Sequence, residues 1–158
     1  MKLKQWLDAA TAQLQSAGIG TARLDALILL EDVLKKDRSY LLAHQQTLLS
    51  ITSQKRLDAK LKKRCQQIPM AYIRGFCEFY GRRFRVNRHV LQPRPESETM
   101  IDLLKQLRLP KPVAIADVGT GSGCLGITAA LEIKNSTVDL LDIDAGALAV
   151  AKYNVNLH

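Results

Sequence analysis

Asp117-Val-Gly-Thr-Gly-Ser-Gly123 sets an acid before three glycines spaced two apart. Glycine accepts positive φ and lets a ligand approach the main chain, so this run suits a tight turn around a small molecule. An apolar, strand-like stretch at 113–116 precedes it and a helix-like stretch at 124–132 follows. The turn therefore sits where a strand feeds a helix, and the first N–H groups of that helix lack partners within it. A second apolar stretch, 138–141, ends on Asp142, where a carboxylate can accept both hydroxyls of a ribose. Together these residues read as the front half of a nucleotide-type cofactor site.

Two cofactor chemistries compete for it. Gly121-Ser-Gly-Cys-Leu-Gly126 satisfies G-x-G-x-x-G, the pattern of dinucleotide enzymes that seat a pyrophosphate on the helix N-terminus. Asp117 stands against that choice, because an acid at the strand end repels a pyrophosphate. It suits a ligand with a cationic amine, and S-adenosylmethionine has such an amine, a positive sulfonium and no phosphate. The glycines at 119, 121 and 123 also fall inside the turn as G-x-G-x-G. The segment favours S-adenosylmethionine over a dinucleotide. A glycine turn without a ligand is the bland alternative, and an acid at each strand end argues against it.

The elements that must position this segment can be read from periodicity. Leu3, Leu7, Ala10 and Leu14 share one helical face, and Gly18 and Gly20 end that helix. A second helix is expected over 21–34 with Thr21 as N-cap, and a short third over 39–43. A fourth is expected to start at Thr52 or Ser53 and to carry the stripe Leu57, Leu61, Cys65 and Ile68, with Pro69 limiting its extent. After Gly75, Phe76, Glu78 and Tyr80 alternate, and Phe84 and Val86 follow Gly81-Arg-Arg83, which predicts a β-hairpin. Pro93-Arg-Pro95 is held extended. A helix over 96–107, with Glu96 and Glu98 in its first turn, precedes Pro110, Pro112 and the strand. A last helix is expected over 145–154. The fold class is α/β: a helical bundle at 1–74, a hairpin connector at 75–95, and at 96–158 the start of a Rossmann-like domain.

Composition bounds the function classes. Of the 158 residues, 47% are hydrophobic and 24% charged, as in globular chains. No apolar run approaches a bilayer's thickness, and Asp8 and Gln13 interrupt any secretory core, so a cytoplasmic protein is expected. Cys65, Cys77 and Cys124 have no metal spacing and read as reduced thiols. His44, His89 and His158 read as surface or packing residues, and no metal is expected. The net charge of +8 is uneven: residues 1–92 hold 17 Lys and Arg against 7 Asp and Glu, and residues 93–158 hold 6 against 8. A basic front module of this kind suits an anionic partner, although the run at 60–64 alone reads as a solvated face. Aromatics make up 5% of the chain and are not interleaved with the basic residues, as a base-stacking platform would require.

Pro69-Met-Ala-Tyr-Ile-Arg-Gly75, Glu78-Phe-Tyr-Gly81, Val90-Leu-Gln-Pro-Arg-Pro-Glu-Ser-Glu98 and the glycine turn follow in that order. With Thr21-Ala-Arg-Leu-Asp-Ala-Leu27, this series resembles the release-factor glutamine methyltransferases of the HemK/PrmC type along the whole chain. The Pro-Arg-Pro-Glu-Ser-Glu segment is the most specific element. The resemblance implies methyl transfer from S-adenosylmethionine to the glutamine amide nitrogen of the Gly-Gly-Gln motif in a peptide chain release factor. It maps the cofactor segment onto Gly119, Thr120, Gly121, Ser122 and Gly123 and the ribose acid onto Asp142, and it assigns the helical front to release-factor recognition. RNA is expected only through the ribosomal context. Nucleic-acid adenine methyltransferases and a non-enzymatic module that binds a translation factor are the alternatives, and the Pro-Arg-Pro-Glu-Ser-Glu segment disfavours the first.

The family's catalytic Asn-Pro-Pro-Tyr segment does not occur in these 158 residues, and no asparagine here precedes a proline. The expectation is an amino-terminal piece of a longer enzyme, with its catalytic residues beyond His158, weak cofactor binding and no methylation by itself. Sheet residues Val113, Ile115, Leu140, Leu141 and Ile143 should in part be left exposed. Gln92 and Arg74 stand where relatives are expected to be apolar, and Ala145-Gly146 replaces a Pro-acid pair expected at that turn.

Overall fold

The computed structural model describes residues 1–109 and 111–158. Pro110, assigned above to the break before the strand, lies outside the described residues. The chain divides into two units, Met1–Arg74 and Gly75–His158.

The first unit is a helical bundle of α1 (Leu3–Ser16), α2 (Ala22–Leu34), α3 (Arg38–Ala43), α4 (Ile51–Cys65) and α5 (Met70–Arg74). The apolar stripe of α1 buries Leu3, Leu7, Ala10 and Leu14 against Ala26, Leu30, Leu57 and Leu61. Trp6 joins this core and its indole N–H donates to Asp58 at 2.8 Å, so the ring is buried without an orphaned donor. Asp25, 5% exposed, accepts from Arg64 Nε at 2.7 Å and from Thr21 Oγ1 at 3.0 Å. Thr21 is the N-cap residue of α2, but its hydroxyl serves Asp25 rather than the helix backbone. The expected start of α4 is corrected: Ser50, not Thr52 or Ser53, caps it, with Ser50 Oγ accepting from Ser53 N at 3.1 Å. The signal was two or three residues earlier than the periodicity suggested, because a cap lies outside the apolar stripe. Helix α5 is an element that periodicity did not reveal, being a single short turn after Pro69.

The second unit opens with the antiparallel hairpin β1 (Phe76–Phe79) and β2 (Arg82–Arg85). Arg82 and Arg83 belong to the strand, not to the turn. The two-residue loop is Tyr80-Gly81, both at positive φ, as a primed hairpin turn requires. Cys77, Phe79 and Phe84 face inward, and Phe79 and Phe84 are buried with their rings edge to face. Glu78 and Arg83 are paired on the outward face, where the Arg83 guanidinium lies over the Phe76 ring. One turn of 3-10 helix at Pro95–Ser97 leads into α6 (Glu98–Gln106), so the α-helix starts two residues later than expected. Glu98 Oε1 accepts Tyr80 N at 2.7 Å and Asp102 accepts Tyr80 OH at 2.7 Å. The acid that ends the Pro-Arg-Pro-Glu-Ser-Glu segment thus anchors the hairpin turn on α6.

Strands β3 (Val113–Val118) and β4 (Ser136–Leu141) pair in parallel, joined through α7 (Cys124–Glu132), and α8 (Ala145–Leu157) follows β4. Both strands run beyond the apolar stretches that announce them, so Asp117 lies within β3. Along each strand half-buried and exposed residues alternate. Ile115 and Leu140 pack on Ile101, Ile127 and Ala129. Of the five sheet residues considered above, Leu141 and Ile143 are exposed, and Val118 joins them. Val113, Ile115 and Leu140 are half-buried on the helix-covered face. Residues 75–158 thus form a hairpin and the start of an α/β domain, and residues 1–74 are helical.

Candidate cofactor site

The glycine turn leaves β3 at Val118 and enters α7 at Cys124. Gly119, Gly121 and Gly123 take φ of 75°, 54° and 79°. Each is in the left-handed region, which costs any residue with a Cβ roughly 1–2 kcal/mol. At Gly123 a Cβ would also meet Ile127 Cδ1 at 2.9 Å and Ala151 Cβ at 3.3 Å, so a side chain there would need its neighbours to shift.

The turn is held from four directions. Gly119 N and Thr120 N both donate to Leu141 O, at 2.8 and 2.9 Å, so the end of β4 receives the start of the turn. Gly121 N donates to Asp142 Oδ2 at 2.8 Å. Gly123 N returns to Thr120 O at 2.8 Å. Ser122 O accepts from Asn154 Nδ2 of α8 at 2.8 Å. Thr120 and Ser122 are buried, at 6% and 2% exposure, and so act in the frame of the turn.

Asp117 turns toward the helix. Its Oδ2 accepts from Thr120 Oγ1 at 2.7 Å and from Gly126 N at 2.9 Å. Gly126 lets α7 come this close, since a Cβ there would stand 2.3 Å from Leu140 Cδ2 and 2.9 Å from that same Oδ2. The last glycine of the apparent dinucleotide pattern is therefore a helix-to-strand packing residue. Asp117 Oδ1 has no hydrogen bond among the described residues.

Asp142 accepts from Asp144 N at 2.9 Å as well as from Gly121 N. The backbone bonds from Asp144 and Gly121 stabilise its charged form and hold its pKa below the ordinary value. Asp144 then caps α8, taking Gly146 N at 2.6 Å, and lies 3.6 Å from His89 Nδ1. His89 thus has an acid neighbour at the surface. A Cβ on Gly146 would lie 2.5 Å from His89 Nδ1, which explains a glycine where a Pro-acid pair was expected. Val90, 4% exposed, backs Gly121.

This donor set favours one of the two chemistries. The N–H groups of Gly119, Thr120, Gly121 and Gly123 are already bonded within the fold, and carboxylates of Asp117, Asp142 and Asp144 surround the turn. A pyrophosphate needs the reverse, free N–H groups and no acids. A cationic ligand with sugar hydroxyls fits. Beside the turn, Gly119, Leu141, Asp142, Ile143 and Leu148 line an open depression of about 370 Å³, which sets the acid among apolar neighbours.

The structure brings Asp117, the three glycines, Thr120, Ser122 and Asp142 into one cluster. Asn154, Asp144, His89 and Val90 were not foreseen. Asn154 did carry a signal: it continues the spacing of Ala147, Val150 and Ala151 on the buried face of α8, and a polar side chain there needs a partner. Among the described residues no group of three or more His, Cys, Asp or Glu is arranged to hold a metal, and no helix is long and apolar enough to cross a membrane.

The comparisons with known proteins converge on the same class. The family model for the methyltransferase small domain matches residues 97–158, which makes this part a methyltransferase domain. The model for the PrmC N-terminal domain matches residues 5–75. A release factor glutamine methyltransferase of Koribacter versatilis is 41% identical over 156 residues, 98% of this chain and 55% of that protein. One of Coxiella burnetii is 42% identical over 139 residues, 87% of this chain and 50% of that protein. A bifunctional methyltransferase of Rickettsia typhi is 36% identical over 175 residues, 99% of this chain and 34% of that protein. The chain belongs to the release factor glutamine methyltransferase family, of which it represents the amino-terminal portion. It spans about half the length of the release factor glutamine methyltransferases it matches.

Proposed function

We propose that this chain is the cofactor-binding and substrate-recognising part of an enzyme that methylates the side-chain amide of glutamine in the Gly-Gly-Gln motif of a peptide chain release factor, in the cytoplasm. The observation that carries the reading is the acid-ringed glycine turn, whose consumed N–H groups favour a cationic nucleoside over a dinucleotide. When bound, S-adenosylmethionine supplies a methyl group activated by its sulfonium. Asp117 offers Oδ1 to the cationic amine, while its Oδ2 stays fixed by Thr120 and Gly126. Asp142, kept ionised, accepts the ribose hydroxyls without releasing Gly121. The glycines leave room for close approach, since a Cβ on Gly119 would meet nothing within 4 Å. Residues 1–74 serve as the recognition domain and 75–95 as the connector.

An amide nitrogen is a poor nucleophile. It must be held in line with the methyl group, with its lone pair directed by hydrogen bonds and water excluded. Residues 1–158 offer the cofactor half of that arrangement, and the orienting groups are assigned to the part of the family that this chain does not span. The test joins residues 1–158 to the remaining half of the Coxiella relative and incubates the chimera with S-adenosylmethionine and a purified release factor. Mass spectrometry should find a methyl group on the Gly-Gly-Gln glutamine with the chimera and none with residues 1–158 alone. A folded, cofactor-binding chimera that leaves this glutamine unmodified would overturn the reading.

A further inference from the structure

Asn154 is 0% exposed and spends its whole side chain on main-chain groups of two other elements. Its Oδ1 accepts Arg85 N of β2 at 2.8 Å. Its Nδ2 donates to Arg85 O at 3.0 Å and to Ser122 O of the glycine turn at 2.8 Å. A carboxamide at this point copies the hydrogen-bonding edge of another strand toward Arg85 and still has a donor left for the turn. β2 has one neighbour, β1, in its sheet, so Asn154 satisfies Arg85 at the other edge. No other residue type has this acceptor and two donors on so short a stem.

We infer that Asn154 is a positioning residue for cofactor binding: it fixes the Ser122 carbonyl, and through it the Gly121–Gly123 arc, against the connector hairpin. This rests on the cofactor reading above. Gly123 N is held within the turn by Thr120 O and Gly121 N by Asp142 at the end of β4, and Asn154 supplies the hold from α8. Loss of that hold lets the Ser122 peptide rotate and misaligns the turn, although Asn154 lies too deep to touch a ligand. The same bonds link the hairpin to the turn, so a disturbance at Arg85 reaches the cofactor site.

The experiment uses residues 1–158 and three variants, Asn154→Ala, Asn154→Asp and Val150→Ala. Val150 is buried on the same helix and is not bonded to the turn, so its truncation reports loss of α8 packing alone. Amide hydrogen exchange is followed at Arg85 and at 121–123, and S-adenosylhomocysteine affinity is measured by calorimetry well below each variant's melting temperature. Asn154→Ala should speed exchange at both places and weaken binding about tenfold, the cost of one or two lost buried hydrogen bonds. Asn154→Asp keeps the acceptor for Arg85 N but sets a carboxylate oxygen against Ser122 O, so it should speed exchange at 121–123 while Arg85 stays protected. Val150→Ala should lower the melting temperature and leave the affinity within twofold. Unchanged exchange at 121–123 in Asn154→Ala, or equal loss of affinity in Val150→Ala, would overturn the assignment. If the unsubstituted chain binds no S-adenosylhomocysteine, the cofactor reading fails, and the positioning role fails with it as a role in binding, whatever the exchange shows.

Discussion

Asp142 Oδ2 accepts the backbone N–H of Gly121 at 2.8 Å, and so the acid at the end of one strand holds the centre of the turn that leaves its neighbour. Because the strands are in register from Val113↔Ser136 to Val118↔Leu141, both chain ends arrive at the same level of the sheet. One carboxylate can then brace the turn and still present lone pairs to a sugar.

That bond sets a pH dependence. The Asp142 pKa is depressed in the folded chain, so its stabilisation is fully present above the ordinary value of 3.8 and is lost as pH falls through the lower folded value. The Gly121 amide proton, followed by NMR, should hold its shift from neutral pH down to about 4 and move only below that. A midpoint above 3.8 would show that Asp142 is not held by these donors.

Two glycines of the same segment should respond differently to alanine. At Gly119 the new Cβ has open space and pays only for positive φ, about 1 kcal/mol. At Gly126 it is driven into Leu140 and Asp117, which costs about 3 kcal/mol by overpacking. Hydrogen exchange of the β3 and β4 amides should rank the variants in that order. Trp6 fluorescence should change in neither, since Trp6 belongs to the other unit.

In the helical unit the Arg64–Asp25 pair is the sensitive point. Their side chains are 16% and 7% exposed, so removing Arg64 strands a buried carboxylate. Arg64→Ala should cost about 3 kcal/mol in urea unfolding monitored by Trp6. Adding Asp25→Ala should cost less than the two single losses combined, because the stranded charge goes with it. Additive losses would mean that the two residues act independently.

Much of this was legible in the sequence, for physical reasons that differ by element. The turn, its flanking strand and helix, and Asp142 could be read because glycine and acid at fixed strand ends are local signals. The α/β class, the helical front and the hairpin followed from periodicity. What escaped is non-local. The internal use of Asp117 depends on Gly126 bringing α7 onto β3, and the links from Asn154 to Arg85 and Ser122 span 69 and 32 residues. The cap of α4 and the true edges of β3 and β4 were missed because hydrogen bonding extends beyond the apolar pattern that marks an element.

Cys77 offers a check on the inner face of the hairpin. Burial, with the neighbouring Cys124 and Glu78, pushes its thiol from an ordinary 9.0 up to about 11. At neutral pH it should therefore alkylate roughly 100-fold more slowly than an unperturbed thiol, since the thiolate is the nucleophile. Mass mapping after brief iodoacetamide treatment should find Cys77 unmodified until the chain is unfolded. Prompt labelling of Cys77 in the folded chain would contradict its inward orientation.

The most direct test is calorimetric titration of residues 1–158 with S-adenosylhomocysteine and, separately, with NAD. Saturable one-site binding of the first, no binding of the second, and loss of the first in Asp142→Ala are the expected results. Binding of NAD in preference, or no binding of S-adenosylhomocysteine by chain shown by hydrogen exchange to hold the 117–123 turn, would contradict the assignment of that turn to a cationic nucleoside.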